Sequence, residues 1–103
     1  MNELKLFINN DEDLYRKKFM PIIANIKRKI KRGVYNHEMA PKLWMYLVDE
    51  AARKYVKEFG SPDQDVADMF PKELRQQIAK DMADEEQEKI EAGEYNVVKG
   101  TIS

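Results

Sequence analysis

The sequence has no cysteine, one histidine and one tryptophan, and only four glycines and four prolines among 103 residues. Without cysteine the chain can form no disulfide, no thiolate metal site and no cysteine nucleophile, which fits a reducing compartment. It also lacks a glycine-rich phosphate loop and a nucleophile elbow. We therefore expect a protein that is not an enzyme and that uses no cofactor and no metal.

Long apolar runs are missing as well. No run approaches the roughly 18 residues that are needed to cross a bilayer, and residues 1 to 10 lack the features of a signal peptide. Both absences favour a cytoplasmic protein without membrane partners. Apolar residues are nevertheless abundant: 43% of the chain is hydrophobic and 10% aromatic, which suits one compact core.

Charge is unevenly distributed, although the formal net charge is only −1. Residues 1 to 60 contain 13 lysines and arginines against 8 acidic residues, whereas residues 61 to 103 contain 5 against 11. The first part of the chain is therefore basic and the second part acidic. The two parts could pair within one molecule or between copies.

Residues 41 to 60, PKLWMYLVDEAARKYVKEFG, have the clearest helical pattern in the chain. Gly60, followed by serine and proline, is typical of a helix end. Seven side chains form an apolar stripe and its two flanks, namely Trp44, Val48, Ala51, Tyr55 and Phe59, with Leu47 and Ala52 beside them. The pattern predicts a central helix that is anchored in the core by Trp44.

A second helical stripe precedes the central helix. Its members are Tyr15, Phe19, Ile22, Ile26 and Ile30. Asn10 is the expected N-cap, and Gly33 the expected residue after the helix end. Pro21 lies inside the stripe, and because the stripe keeps its phase there, we predict a kink near residues 17 to 21 and not two separate helices. Residues 1 to 9 fit a helical turn or a strand, with the turn favoured.

The pattern weakens towards the C-terminus. Residues 63 to 70 predict a short helix or a structured turn, and Pro71 is expected to open a last helix that runs to Gly93. The apolar face of that helix stops at Met82. Residues 83 to 92 are polar nearly all round, so the sequence predicts a helical end with little to bury, supported by pairs such as Glu85 with Lys89.

Together these patterns predict an all-α protein. We expect a single domain of three to four helices over residues 1–92, arranged as a helical bundle, with a C-terminal tail over residues 93–103 that is either disordered or docked. The stripe of the first long helix should pack against that of the central helix. Since the connector between them is short, the two helices should be antiparallel.

The first candidate binding surface is basic. Residues 27 to 32, KRKIKR, follow the cationic residues 16 to 18 on one predicted helix. The candidate contacts are Lys17, Lys27, Arg28 and Lys31, which would face solvent and could meet a phosphate backbone. A solvated helix face explains the same pattern, and DNA-binding proteins are usually basic overall, whereas this chain is slightly acidic.

The second candidate surface surrounds Tyr46, which projects away from the Trp44 stripe on the same side as Arg53. A tyrosine among cations could stack on a base or anchor a protein interface, because it offers contact area at low entropic cost. The N-terminal segment could instead cover it.

Acidic residues recur on the last helix as Asp81, Asp84, Glu85 and Glu88. Carboxylates at this spacing can bind a divalent cation when other helices add ligands, but no Glu-x-x-His motif accompanies them. A solvated acidic face is the favoured interpretation. His37 lies in a connector with no nucleophile or orienting acid near it in sequence.

Three stretches resemble a family of small helical proteins that are encoded in tailed-phage and environmental viral genomes. They are LKLFINNDEDLYRKK, APKLWMYLVDEAARKYVKEFG and MFPKELRQQIAKDMADE, and they span most of residues 4 to 86. The resemblance implies a viral gene and action in the cytoplasm of an infected bacterium. It carries over no catalytic or binding residue.

We expect a small accessory protein that acts by binding a protein partner, or a second copy of itself, through the basic first helix or the Tyr46 face. The alternative is a nucleic-acid-binding protein that uses the basic first helix. The two differ in their response to salt, because affinity from phosphate contacts falls steeply as salt rises.

Overall fold

The computed structural model describes residues 3 to 94, and all of their regular secondary structure is helical. The predicted all-α domain is confirmed, as four longer helices and one short one. The predicted tail lies outside the described residues, apart from residues 93 and 94. The helices are α1 (Glu3–Asn10), α2 (a first turn Glu12–Leu14, a π-helical segment Tyr15–Phe19 and a final stretch Met20–Lys31), α3 (Ala40–Phe59, preceded by the 3-10 turn His37–Met39), α4 (Val66–Met69) and α5 (Lys72–Glu91).

Helix α2 continues through Pro21, with an irregular turn just before the proline. In the π-helical segment the Met20 N–H donates to the Tyr15 carbonyl, five residues back instead of four. Proline has no N–H with which to bond the Lys17 carbonyl, so the preceding turn can widen at little cost. The chain stays helical, as predicted, and its irregularity lies at the predicted place.

The wide turn shifts the apolar stripe by one residue. The predicted stripe is wrong at Tyr15, which is 50% exposed, whereas Leu14 is buried. An extra residue in one turn rotates everything before it by about 100° relative to the residues after it. Leu14, five residues before Phe19, therefore takes the inward position, and Tyr15 stacks against Phe19 from outside at 5.3 Å between ring centroids.

The start of α2 also differs from the prediction by one residue. Asn10 ends α1, and Asp11 is the N-cap of α2, with its side chain accepting from the Leu14 N–H at 2.9 Å. The end of α2 is as predicted. Gly33 has φ +74°, a conformation that glycine adopts without strain, and its N–H donates to the Ile30 carbonyl.

Helix α3 contains the largest buried side chain. Trp44 is 0% exposed, in agreement with the prediction, and Leu47 and Ala52 are as deeply buried as the centre of the stripe. The predicted stripe is wrong at its end, because Phe59 is 63% exposed. Phe59 lies in the last turn of α3, at the edge of the bundle, where Phe7 of α1 meets it edge-on at 6.2 Å.

The most extensive packing partner of α3 is α5 and not α2. The helices α3 and α5 are antiparallel, because Asp49 pairs with Arg75 at 2.6 Å while Asp84 bonds His37, just before α3. The predicted packing of α2 against α3 is present, through Phe19 and Trp44, but α5 makes the more extensive contact with α3. Small side chains such as Ala52 on α3 and Ala79 on α5, both buried, allow these two backbones to approach closely.

Helix α2 is nevertheless antiparallel to α3, as predicted. Asp11 at its start pairs with Lys54 near the end of α3 at 2.7 Å, and Phe19 meets Trp44 near the start of α3 at 5.2 Å between ring centroids.

The end of α5 buries more than its composition predicts. Ala83 is fully buried, Glu86 is 5% exposed and Ile90 packs against the core. The predicted pair of Glu85 with Lys89 is wrong. Glu85 pairs with Lys5 of α1, while Lys89 pairs with Glu86 at 3.1 Å.

Because Trp44 is fully buried at the centre of this arrangement, we expect Trp44→Ala to lower the free energy of unfolding by about 3–5 kcal/mol in urea melts. The matched control is Tyr46→Ala, which removes an aromatic ring from the exposed side of the same helix and should change stability by no more than about 0.5 kcal/mol. A loss below about 1 kcal/mol for Trp44→Ala would contradict the central position given to α3.

Candidate binding groove

A shallow groove of about 390 Å³ lies between the start of α2 and the outer side of α3. We call it the cationic groove. It is lined by five cations, two carboxylates and one leucine, namely Lys17, Lys18, Arg53, Lys54 and Lys57, with Asp13, Glu50 and Leu14. Its lining is therefore positive, although the protein as a whole is slightly acidic.

Two local features position these side chains. The π-helical segment presents Lys17 and Lys18 on one wall of the groove. On the other wall, Glu50, Arg53 and Lys57 follow one another at spacings of three and four residues, so they share one face of α3. The 73% exposed Tyr46 lies four residues before Glu50 and extends the same face.

Glu50 is held by its neighbours on this face. It accepts a hydrogen bond from Arg53 at 2.6 Å. This bond, opposed by partial desolvation and helped by the charges of Arg53 and Lys18, lowers the pKa of Glu50 below its ordinary value. Glu50 is thus ionised at neutral pH and neutralises part of Arg53, whereas Lys17 and Lys57 form no salt bridge with any residue between 3 and 94.

A second ion pair involves Lys54, which also lines the groove. Lys54 donates to Asp11 at 2.7 Å, and Asp13 lies at 4.0 Å from the same ammonium group. The Lys54 hydrogen bond is the main reason that the pKa of Asp11 is lowered, and the Leu14 N–H adds to it. The same bond raises the pKa of Lys54. Asp11 therefore caps α2 and also fixes its start against α3.

The structure brings together only some of the residues that the sequence singled out. Lys17 and Arg53 line the cationic groove, and Tyr46 lies on the same helix face. Lys27, Arg28 and Lys31 are all exposed, but they lie on the last part of α2, away from the groove. The sequence predicted two separate surfaces, one on each helix. In the folded protein, Lys17 of the predicted basic surface lies beside Arg53 of the predicted Tyr46 surface.

Lys54 and Glu50 were missing from the predicted site. Their roles depend on residues in or next to α2, which is distant in sequence. Lys54 pairs with Asp11, and the charge of Lys18 helps to lower the pKa of Glu50. Within α3 the three-residue spacing of Glu50 and Arg53 was a usable signal for a local pair. No sequence pattern indicates that residues 13 to 18 would face these side chains.

Polar side chains also meet at the other end of the molecule. His37 is bonded through Nε2 to Asp84 at 3.0 Å, so its orienting acid is a residue far away in sequence. Nearby in the fold, burial and the charge of Glu86 raise the pKa of the Tyr35 hydroxyl. Ser61, the one serine between residues 3 and 94, follows the opposite end of α3, which is about 30 Å long. The bond to Asp84 orients His37. The Ser61 hydroxyl lies at the other end of α3, so it does not form a nucleophile–base pair with His37.

The acidic face of α5 is divided among separate partners. Asp81 accepts from Gln77, Asp84 from His37, and Glu85 pairs with Lys5. Within residues 3 to 94 no three acidic or histidine side chains are arranged to hold a metal ion. In the same part of the chain, no helix is both long and apolar enough to span a membrane.

Comparison of the chain with family models, curated proteins and solved structures finds no match. The resemblance to phage-encoded proteins therefore stays a prediction.

The pairing of Asp11 with Lys54 predicts a pH-dependent stability. Asp11→Asn keeps a capping oxygen but removes the negative charge, so it should be less stable than the wild type near neutral pH. Because folding lowers the pKa of Asp11, its contribution is complete above the ordinary value of 3.8 and is lost as the pH falls through the lowered one. Urea melts of the two proteins should therefore converge at acidic pH.

The control for this experiment is Glu88→Gln, which changes an exposed carboxylate of α5 that forms no salt bridge within the described residues. It should leave stability nearly unchanged at every pH. A difference between Asp11→Asn and the wild type that stayed constant down to acidic pH would show that the charge of Asp11 does not contribute.

Proposed function

We propose that this protein is a small accessory protein that binds an acidic segment of a protein partner in the cationic groove. The observation that carries the proposal is the placement of Lys17 and Lys57 on one concave surface, with no salt bridge to another residue in the described part of the chain. Cations that are already placed side by side need little rearrangement to meet a carboxylate-bearing partner.

The surroundings of the groove favour a protein over a nucleic acid. Tyr46 and Arg53 share one exposed face of α3, and tyrosine and arginine are the side chains that most often dominate protein interfaces. Two carboxylates, Asp13 and Glu50, also line the groove. A continuous phosphate backbone would meet these negative charges, whereas a folded or peptide partner can place its own polar groups against them.

A second candidate function is nucleic-acid binding by the last part of α2. Arg28 and Lys31 are exposed and form no salt bridge with residues 3 to 94, and Lys27 is exposed beside them. Together with Lys17 they would provide phosphate contacts along one helix. This function predicts a steep loss of affinity with salt, and it does not require Arg53 or Tyr46.

The cellular setting of the proposal comes from the sequence. The resemblance to proteins of tailed-phage genomes supports a phage-encoded protein that works in the cytoplasm of an infected bacterium. An acidic host or phage protein would then be the partner.

The proposal predicts binding of a fluorescein-labelled oligoglutamate peptide, measured by anisotropy at about 50 mM salt. Lys17→Glu combined with Arg53→Glu should weaken binding about tenfold or more, equivalent to about 1.4 kcal/mol, because two attractive contacts become repulsive. Tyr46→Ala should weaken the binding of an oligoglutamate peptide that also contains aromatic residues.

The matched control is Lys80→Glu, a charge reversal on the exposed side of α5. It should leave peptide affinity within about twofold of the wild type, which corresponds to about 0.4 kcal/mol. An oligothymidylate of equal length serves as the competitor. If it bound more tightly than the peptide, and Arg28→Glu with Lys31→Glu abolished that binding, the second candidate function would replace the first.

A further inference from the structure

A surface of opposite charge lies next to the cationic groove. The segment between α3 and α5 contains three exposed carboxylates, Asp63, Asp65 and Asp68, which we call the acidic loop. None of them forms a salt bridge with any residue between 3 and 94. The negative charge of the loop is therefore not used to hold the described fold together.

The acidic loop and the groove share one side of the molecule. Arg53 and Lys57, which line the groove, also line a second concave surface of about 440 Å³ together with Ser61 and Gln64 of the loop segment. Asp63 and Asp65 are the sequence neighbours of Gln64. Positive and negative surfaces thus adjoin each other, yet the carboxylates do not reach the cations of their own chain.

The loop is held in place at both ends. At its start the Ser61 N–H donates to the Gln64 side chain at 3.3 Å, and the Gln64 N–H donates to the Ser61 carbonyl at 3.0 Å. At its end Phe70 is buried, and its carbonyl accepts from Arg75 at 2.9 Å. A loop fixed in this way loses little conformational freedom on contact with another molecule.

Gly60 contributes to this arrangement through close packing. A Cβ atom at this position would lie 2.7 Å from the Val56 carbonyl oxygen and 3.0 Å from the side-chain oxygen of Gln64. Only glycine allows the chain to turn so tightly out of α3. The start of the acidic loop is therefore kept against the last turn of the helix that carries Arg53 and Lys57.

We propose that the partner of the cationic groove is a second copy of this chain, and that the acidic loop of each copy lies against the groove of the other in a two-fold symmetric dimer. The inference rests on the proposed function, because it requires that the groove bind carboxylates. A two-fold axis places the same surface of both copies face to face. Adjoining patches of opposite charge are then complementary to themselves, so one dimer forms the groove-loop contact twice.

The first test is the mass in solution, measured by light scattering after size exclusion. We expect the mass of two chains at about 20 mM salt and the 12.2 kDa of one chain at about 500 mM, because salt screens exposed charges. A mass that kept growing beyond two copies at low salt would contradict the two-fold arrangement.

The second test exchanges the charges. The groove variant carries Lys17→Glu, Arg53→Glu and Lys57→Glu, and the loop variant carries Asp63→Lys and Asp65→Lys. Each variant alone should remain monomeric at about 20 mM salt, because its groove and loop now have the same sign. An equal mixture should form a dimer that contains one copy of each variant, since both contacts are then between opposite charges. Lys80→Glu is the matched control and should dimerise like the wild type.

Several outcomes would overturn the inference. They are a wild type that stays monomeric at about 20 mM salt and high concentration, variants that dimerise alone, and a mixture that stays monomeric although both variants are helical by circular dichroism. The proposed function fails separately. If the protein is monomeric but binds oligoglutamate, the proposed function stands and only the dimer is ruled out. If it is monomeric and binds no peptide, both the proposed function and the dimer are ruled out.

Discussion

Trp44 loses all of its accessible surface because neighbours surround α3. The helix is contacted by α1, α4, α5 and the π-helical segment of α2, so most of its circumference is occupied. The side that carries Tyr46, Glu50 and Arg53 is left for solvent or a partner. The position of the cationic groove is therefore a consequence of how the core encloses Trp44, and it does not require a separate structural element.

The ion pairs between helices decide which charges remain available. Asp11 with Lys54 joins α2 to α3, and Asp49 with Arg75 joins α3 to α5. Both of these pairs are partly buried, whereas a pair formed by exposed side chains such as those of Lys17 and Lys57 typically contributes below about 1 kcal/mol. Leaving Lys17 and Lys57 without such pairs consequently costs the fold little, and their charge stays available for a ligand.

Periodicity predicted the elements of the fold well and their faces less well. Helix α3 was readable because its apolar spacing, from Trp44 to Phe59, continues for about four turns. Gly33 marked the end of α2 because its backbone conformation suits glycine. Tyr15 was misplaced because the π-helical turn changes the phase of the helix; Pro21 indicated an irregularity near this place but not its type. Buried Glu86 was missed because its burial depends on segments distant in sequence, such as the one that contains Tyr35, and its pair with Lys89 in the same helix does not indicate burial. The groove could not be predicted as a unit, since it depends on which side of α2 faces α3.

Pro21 connects the amino-acid sequence with the position of the cationic groove. In a regular α-helix the inward residues before the proline would be Tyr15 and Phe19, which lie four residues apart. The wider turn that the proline permits makes Leu14, five residues before Phe19, the inward residue instead, while Phe19 contacts Trp44. Lys17 and Lys18 lie within this turn, are exposed and line the cationic groove. The missing N–H of one proline thereby helps to set which side of the first turns of α2 faces α3, and with it the wall of the groove that carries these two ammonium groups.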